Sequence, residues 1–134
     1  MDTGTIQHDF LMTALRQVDR QTPWLVVATH RPLFVDSAAG WDAPAGHHYH
    51  ALRMKLHVAN QLYASGVDVI WGAHHHSYQR SCALRPDPPQ FNGSCANGPE
   101  HGMVVVNIGM AGAGDSGATV SHPRGDIWEY VDNS

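Results

Sequence analysis

At 134 residues, with 43% hydrophobic and 15% charged residues, the chain is one globular domain or part of one, neither disordered nor fibrous. Its formal net charge of -4 argues against a nucleic-acid partner, and no apolar run approaches the ~18 residues that cross a bilayer, which argues against a membrane protein. Eleven histidines outnumber the eight lysines and arginines, so the real charge climbs as pH falls from about 7 to about 5.

Residues 6–18 place Ile6, Phe10, Leu11, Ala14, Leu15 and Val18 on one face of an amphipathic helix, with Thr3 or Thr5 available as its cap. A break at Gln21-Thr22-Pro23 precedes residues 24–29, Trp-Leu-Val-Val-Ala-Thr, an almost wholly apolar strand of the kind buried on both faces. The strand ends at His30-Arg31-Pro32, because a residue before proline is held extended and carries no helix onward. Taken alone, His30 reads as a capping or packing histidine rather than a ligand.

Residues 36–46 are rich in Ala, Gly, Pro and Asp and read as a loop. His47, His48 and His50 follow it, either as a solvated helix start or as a pocket wall. Leu52, Leu56, Ala59, Leu62 and Tyr63 then give a second helical stripe over residues 49–63, stopped by Ser65-Gly66. A second buried strand, residues 67–71, ends at Gly72 and delivers His74, His75 and His76 to another strand exit. In extended backbone His74 and His76 face one pocket and His75 faces away, so replacing His75 is expected to be mild. Two aligned imidazoles suit zinc, iron, copper or nickel, although a histidine-rich surface tract would look the same.

Cys82 and Cys95 bracket a Pro- and Gly-rich segment, residues 85–93, that reads as a loop with little structure of its own; a disulfide closing it is expected. The same segment holds the acceptor pattern Asn92-Gly93-Ser94, and the two features together favour a secretory route. A third buried strand covers residues 103–108 and is followed by the Gly-rich run 109–114. That run is not GxGxxG and opens no helix, which excludes a dinucleotide loop. His101 reads as surface, and residues 127–131 alternate as one further strand. Helix, strand, histidine loop, helix, strand, histidine loop is an α/β pattern with its chemistry at strand ends.

Ala73-His74-His75-His76 followed by Tyr78 and Arg80, together with Val27-Ala28-Thr29-His30 after Thr22-Pro23-Trp24, resembles two metal motifs of the purple acid phosphatases within the calcineurin-like metallophosphoesterases. Two departures stand out: Ala73 occupies the position where the family usually has Gly, and Gln79 lies where Glu is frequent. If that Gly supplies a positive φ, Gly72 is the residue expected to take the turn instead.

The resemblance covers residues 7–114 and implies the carboxyl-terminal half of a catalytic domain, cut at both ends, with a partial metallophosphoesterase β-sandwich flanked by helices. It implies a binuclear centre of Fe(3+) and a divalent metal (Zn, Fe or Mn), with His76 on the ferric ion and His30 and His74 on the divalent one. His47 or His48 would donate to a phosphate oxygen or leaving group. The implied activity is acid phosphatase: hydrolysis of phosphate monoesters by metal-activated hydroxide. A related phosphodiesterase or nucleotide pyrophosphatase, and a non-catalytic metal-binding relic, are the alternatives. None of the family's upstream motifs, Gly-Asp-x-Gly, Gly-Asp-x-x-Tyr or Gly-Asn-His-Glu, occurs in the chain, so the isolated chain is expected to be inactive. The family's location would be secreted, lysosomal or vacuolar.

Overall fold

A computed structural model describes residues 4–19, 21, 23–36, 47–87, 90–96, 101–110 and 127–132; the side chains at 47, 48, 87, 90–92 and 130–132 lie outside that description. The elements in chain order are α1 (Ile6–Gln17), β1 (Val26–Ala28), α2 (His47–Met54), a π-helical turn (Lys55–Ala59), α3 (Asn60–Ala64), β2 (Val69–Gly72), β3 (Tyr78–Asp87), β4 (Gln90–Cys95), β5 (Met103–Ile108) and β6 (Trp128–Asp132). Thr5 caps α1, its hydroxyl accepting from the His8 amide at 3.3 Å and satisfying one of the first-turn donors. Gly66 at φ 70° ends the second helical stretch, its amide donating to the Tyr63 carbonyl at 2.8 Å, a geometry in which a side chain would be strained.

All six strands join one mixed sheet, flanked by helices as the α/β pattern predicts. Along the path β1-β2-β5-β3-β4, the first three strands are parallel, whereas β5 and β3, like β3 and β4, run antiparallel. The long strand β3 has two neighbours on its far side: β6 beside Tyr78–Ser81 and β4 beside the stretch from Leu84 onward. The register shift between Arg80 and Ser81 is the kind of bulge that lets one strand change partners along its length.

The core lies between the sheet and the α2–π–α3 segment, where Met54, Val58, Ala59 and Leu62 meet Ile70, Leu84, Met103 and Val105. Leu33 and Phe34, from the stretch after His30, close the same cluster, and Lys55 Nζ stands 5.0 Å over the Phe34 ring as a cation–π contact. Helix α1 buries no residue fully; only Leu11 and Leu15 pack against the cluster.

Two expectations are corrected. The first strand is not buried on both faces: Val26 is 45% exposed, and Trp71 (49%) and Ile108 (42%) continue that open face, since both helical segments pack on the opposite side. The segment between the cysteines is not a structureless loop. It is the β3–β4 hairpin, with Leu84 paired to Cys95, and Gly93 at φ 79° lies in its returning strand. Cys82 and Cys95 do form the expected disulfide, with Cα atoms 5.6 Å apart. His101 is exposed, its carbonyl accepting from the Tyr63 hydroxyl at 3.1 Å. Most of the loop at 36–46 and residues 111–114 of the Gly-rich run lie outside the described residues.

Candidate metal centre

Parallel pairing of β1 with β2 sets the site. The register Ala28 to Trp71 continues beyond the strands themselves: the Thr29 amide donates to the Trp71 carbonyl at 2.8 Å, and the Ala73 amide donates to the His30 carbonyl at 3.1 Å. Two histidine-bearing strand exits are thereby tied side by side. The Thr29 hydroxyl donates to the Arg31 carbonyl at 2.6 Å, fixing the turn that carries His30 and Arg31.

His30 Nε2 and His74 Nδ1 face each other at 3.0 Å, with the rings edge to face at 5.0 Å between centroids. The other nitrogen of His74, Nε2, receives a hydrogen bond from the Arg31 guanidinium. Arginine only donates, so with this contact a neutral His74 would carry its lone pair on Nε2 and its proton on Nδ1, facing His30 Nε2. Arg31 also lines a groove of about 310 Å³ whose walls include Phe10, Leu11, Val27, His30 and Met54.

The backbone from Ala73 to Ser77 differs from expectation. It is not extended: the His75 amide donates to the Ala73 carbonyl at 2.7 Å and the Ser77 amide to the His75 carbonyl at 2.8 Å, two successive tight turns. His74 itself has φ 62°, so the left-handed turn is carried by neither Ala73 nor Gly72. That conformation costs a side chain roughly 1 kcal/mol. Gly72 is needed for a different reason: a Cβ there would stand 2.5 Å from Asn107 Oδ1 and 2.9 Å from Pro32 Cα. Gly109 likewise has no room for a Cβ, which would overlap the His75 carbonyl, so the first glycine of the run does let backbone approach the histidine turn.

His75 points into the protein. It is 1% exposed and sits in a buried polar cluster that sequence reasoning missed. Its Nδ1 lies 2.8 Å from Ser77 Oγ. Gln79 Nε2 donates to the Asp36 carbonyl at 2.6 Å and to Ser77 Oγ at 2.9 Å, while Gln79 Oε1 accepts from the Asp36 amide at 2.8 Å. Asn107 Nδ2 donates to the Phe34 carbonyl at 2.7 Å. These bonds lock the stretch after His30 onto β3 and β5. The signal was present in the sequence: Ser77, Gln79 and Ser81 keep a period of two on the inward face, and Asn107 interrupts an apolar strand.

His76 Nδ1 is buried with no hydrogen-bond partner among the described residues, an arrangement that costs a buried polar atom about 1–3 kcal/mol unless something takes the lone pair. The described residues include no cluster of three or more His, Cys, Asp or Glu side chains, so His76 does not join His30 and His74 in one group. The donor set nevertheless fits a metal in part. Two nitrogens 3.0 Å apart, each at the ~2.1 Å of a zinc–imidazole bond, subtend about 90° at a shared ion, and the orphan nitrogen of His76 is the form a ligand must present. Arg80 takes no part; it is exposed and pairs with Glu129 at 3.4 Å. His47 and His48 open α2, but their side chains lie outside the described residues. His50, on the same helix, has its pKa lowered by burial first and by the charges of Arg31 and Arg53 after that.

No family model matches the chain. An Arabidopsis thaliana protein named "Probable inactive purple acid phosphatase 9" is 35% identical over 113 residues, which are 81% of this chain and 15% of that protein. A nucleotide pyrophosphatase/phosphodiesterase of Hordeum vulgare is 29% identical over 96% of the chain and 35% of its own length. The chain therefore spans only a minor share of the relatives it matches. Among solved structures, a purple acid phosphatase from yellow lupin (Lupinus luteus) seeds superposes with a TM-score of 0.76 at 25% identity, covering 98% of this chain and 23% of that one. In sequence over most of its length, and in fold over nearly all of it, the chain is similar to part of the purple acid phosphatases, consistent with a partial catalytic domain of that family.

Proposed function

We propose that the chain supplies part of a binuclear metal centre that hydrolyses phosphate monoesters, with His30 and His74 holding a divalent ion and His76 a ferric ion. The observation that carries this reading is the convergence of His30 Nε2 and His74 Nδ1 at 3.0 Å from two adjacent strand exits; the unpartnered Nδ1 of His76 supports it. When bound, the metals would supply Lewis acidity and an activated water. The chain's own residues hold the ligand nitrogens in place through the paired strands and the Gln79 cluster. The start of α2, with His47 and His48, is assigned to a phosphate oxygen or the leaving group.

Three imidazoles shared between two ions leave each with fewer protein ligands than the three or four a stable site takes. Activity is therefore assigned to a longer protein containing this chain, and the isolated chain is assigned none. A location reached through a secretory compartment is supported by the Cys82–Cys95 disulfide. A second reading, hydrolysis of phosphodiesters or nucleotide pyrophosphates, is favoured by the barley relative, which matches nearly the whole chain.

The test is to replace His30, His74 and His76 singly by Ala in the longer protein, measuring bound metal and turnover of p-nitrophenyl phosphate and of a dinucleotide. Metal and turnover should fall together in all three variants. Full metal occupancy with near-normal turnover would overturn the assignment, and a preference for the dinucleotide would select the second reading.

A further inference from the structure

Arg31 occupies the nitrogen of His74 that any metal ligation must disturb. If an ion binds His74 through Nε2, it displaces the guanidinium directly. If it binds through Nδ1, beside His30 Nε2, the imidazole proton moves to Nε2, where it would point at a group that can only donate. Both routes require Arg31 to leave. Building on the metal-centre reading above, we propose that Arg31 is an affinity-limiting residue that competes with the metal for His74 and holds the ring as its Nδ1–H tautomer in the metal-free chain. Three observations carry this: the Arg31 to His74 Nε2 hydrogen bond, the His74 Nδ1 to His30 Nε2 contact at 3.0 Å, and the place of Arg31 in the wall of the groove between α1, β1 and α2. The groove gives the side chain room to swing aside. Its positive charge also disfavours a second cation nearby, and a site whose competent form is a minor one binds more weakly by that fraction.

The experiment is equilibrium dialysis of the dilute 134-residue chain against cobalt(II) at fixed neutral pH, for the unsubstituted chain, Arg31→Met, Arg31→Ala and His30→Ala. A charge-assisted bond no longer has to break in the Arg31 variants, so both should bind cobalt about tenfold more tightly, and His30→Ala should lose the binding. Unchanged or weaker affinity in both Arg31 variants, with dependence on His30 retained, overturns the role of Arg31 alone. Binding that ignores His30 in every chain, or no binding even in the Arg31 variants, overturns this proposal, while the metal-centre reading stands or falls on the His30, His74 and His76 variants of the longer protein. A second measurement stands apart from metal and from the folding of variants: nitrogen NMR of the histidine-labelled, unsubstituted chain should show His74 protonated on Nδ1, and an Nε2–H tautomer refutes the proposal.

Discussion

Replacing Gln79 by Glu changes one atom of the buried cluster and reverses its hydrogen-bond polarity. The amide is matched to the Asp36 backbone on both sides, donating to its carbonyl at 2.6 Å and accepting from its amide at 2.8 Å. A carboxylate keeps the second bond and turns a lone pair toward the Asp36 carbonyl in place of the first. The Ser77 hydroxyl can rotate to donate, so the unavoidable loss is that one carbonyl, about 1–3 kcal/mol. Burying a charge at a fully buried position (0% exposed) adds a cost of the same order, giving roughly 2–6 kcal/mol for Q79E at pH 7. The sign of the pH dependence is fixed by the same geometry. Burial raises the folded-state pKa of the introduced carboxyl group above the unfolded ~4.3, so the protonated acid, which can donate to Asp36, is favoured in the fold. The deficit is thus smallest below about pH 4.3 and grows as pH rises through the folded pKa. Urea unfolding of both chains at several pH values between about 4 and 8 reads the difference directly. A deficit under about 1 kcal/mol at pH 7, or one that widens as pH falls, would refute the account of this cluster.

His74→Gly should be more stable than His74→Ala by about 1 kcal/mol in urea, because only glycine relieves the left-handed backbone at φ 62°, while both lose the contact with His30. Converting both Cys82 and Cys95 to Ser should cost about 3 kcal/mol, since the bridge closes a loop with a sequence separation of 13; an unchanged urea midpoint would count against it. His50 should titrate below its ordinary 6.5 by NMR, and its contribution to stability, complete above that value, should be lost as pH falls toward the lowered folded pKa; His50→Gln removes that part of the slope. The uncovered sheet face at Val26, Trp71 and Ile108 should drive self-association that sedimentation detects and Trp71→Glu weakens.

The elements themselves are legible in the sequence because each carries a local signal. The apolar stripe and its threonine mark α1 nearly to the residue, and the β-branched run 103–108 marks β5. Burial is not legible at β1: an apolar run tells what a strand can bury, whereas what covers it depends on where the helices lie. The hairpin between the cysteines is hidden by its prolines and glycines, which punctuate loops more often than strands. A two-residue period fails at the histidine triplet because the backbone there turns at every second residue, and the buried role of His75 is lost with it. Arg31 carries no signal of its own, because nothing in one dimension places residue 31 beside residue 74.

What brings those residues together is backbone pairing, and this orders cause and effect across the site. Val26, Val27 and Ala28 align with Val69, Ile70 and Trp71 because both runs are apolar and extended, and the ladder runs two hydrogen bonds further, through Thr29 and Ala73. A one-residue slip would flip every side chain of β1 to the other face and would carry His30 away from His74. Asn107, Gln79 and the two close-packed glycines, Gly72 and Gly109, then hold the stretches beyond the strands against β3 and β5. They leave the histidine turn little freedom except at the side chains themselves. The chemistry at this end of the sheet therefore rests on side-chain adjustments within a fixed frame, and the guanidinium of Arg31, which among the described residues is held by its hydrogen bond to His74 and borders an open groove, is a group in that frame with somewhere to go.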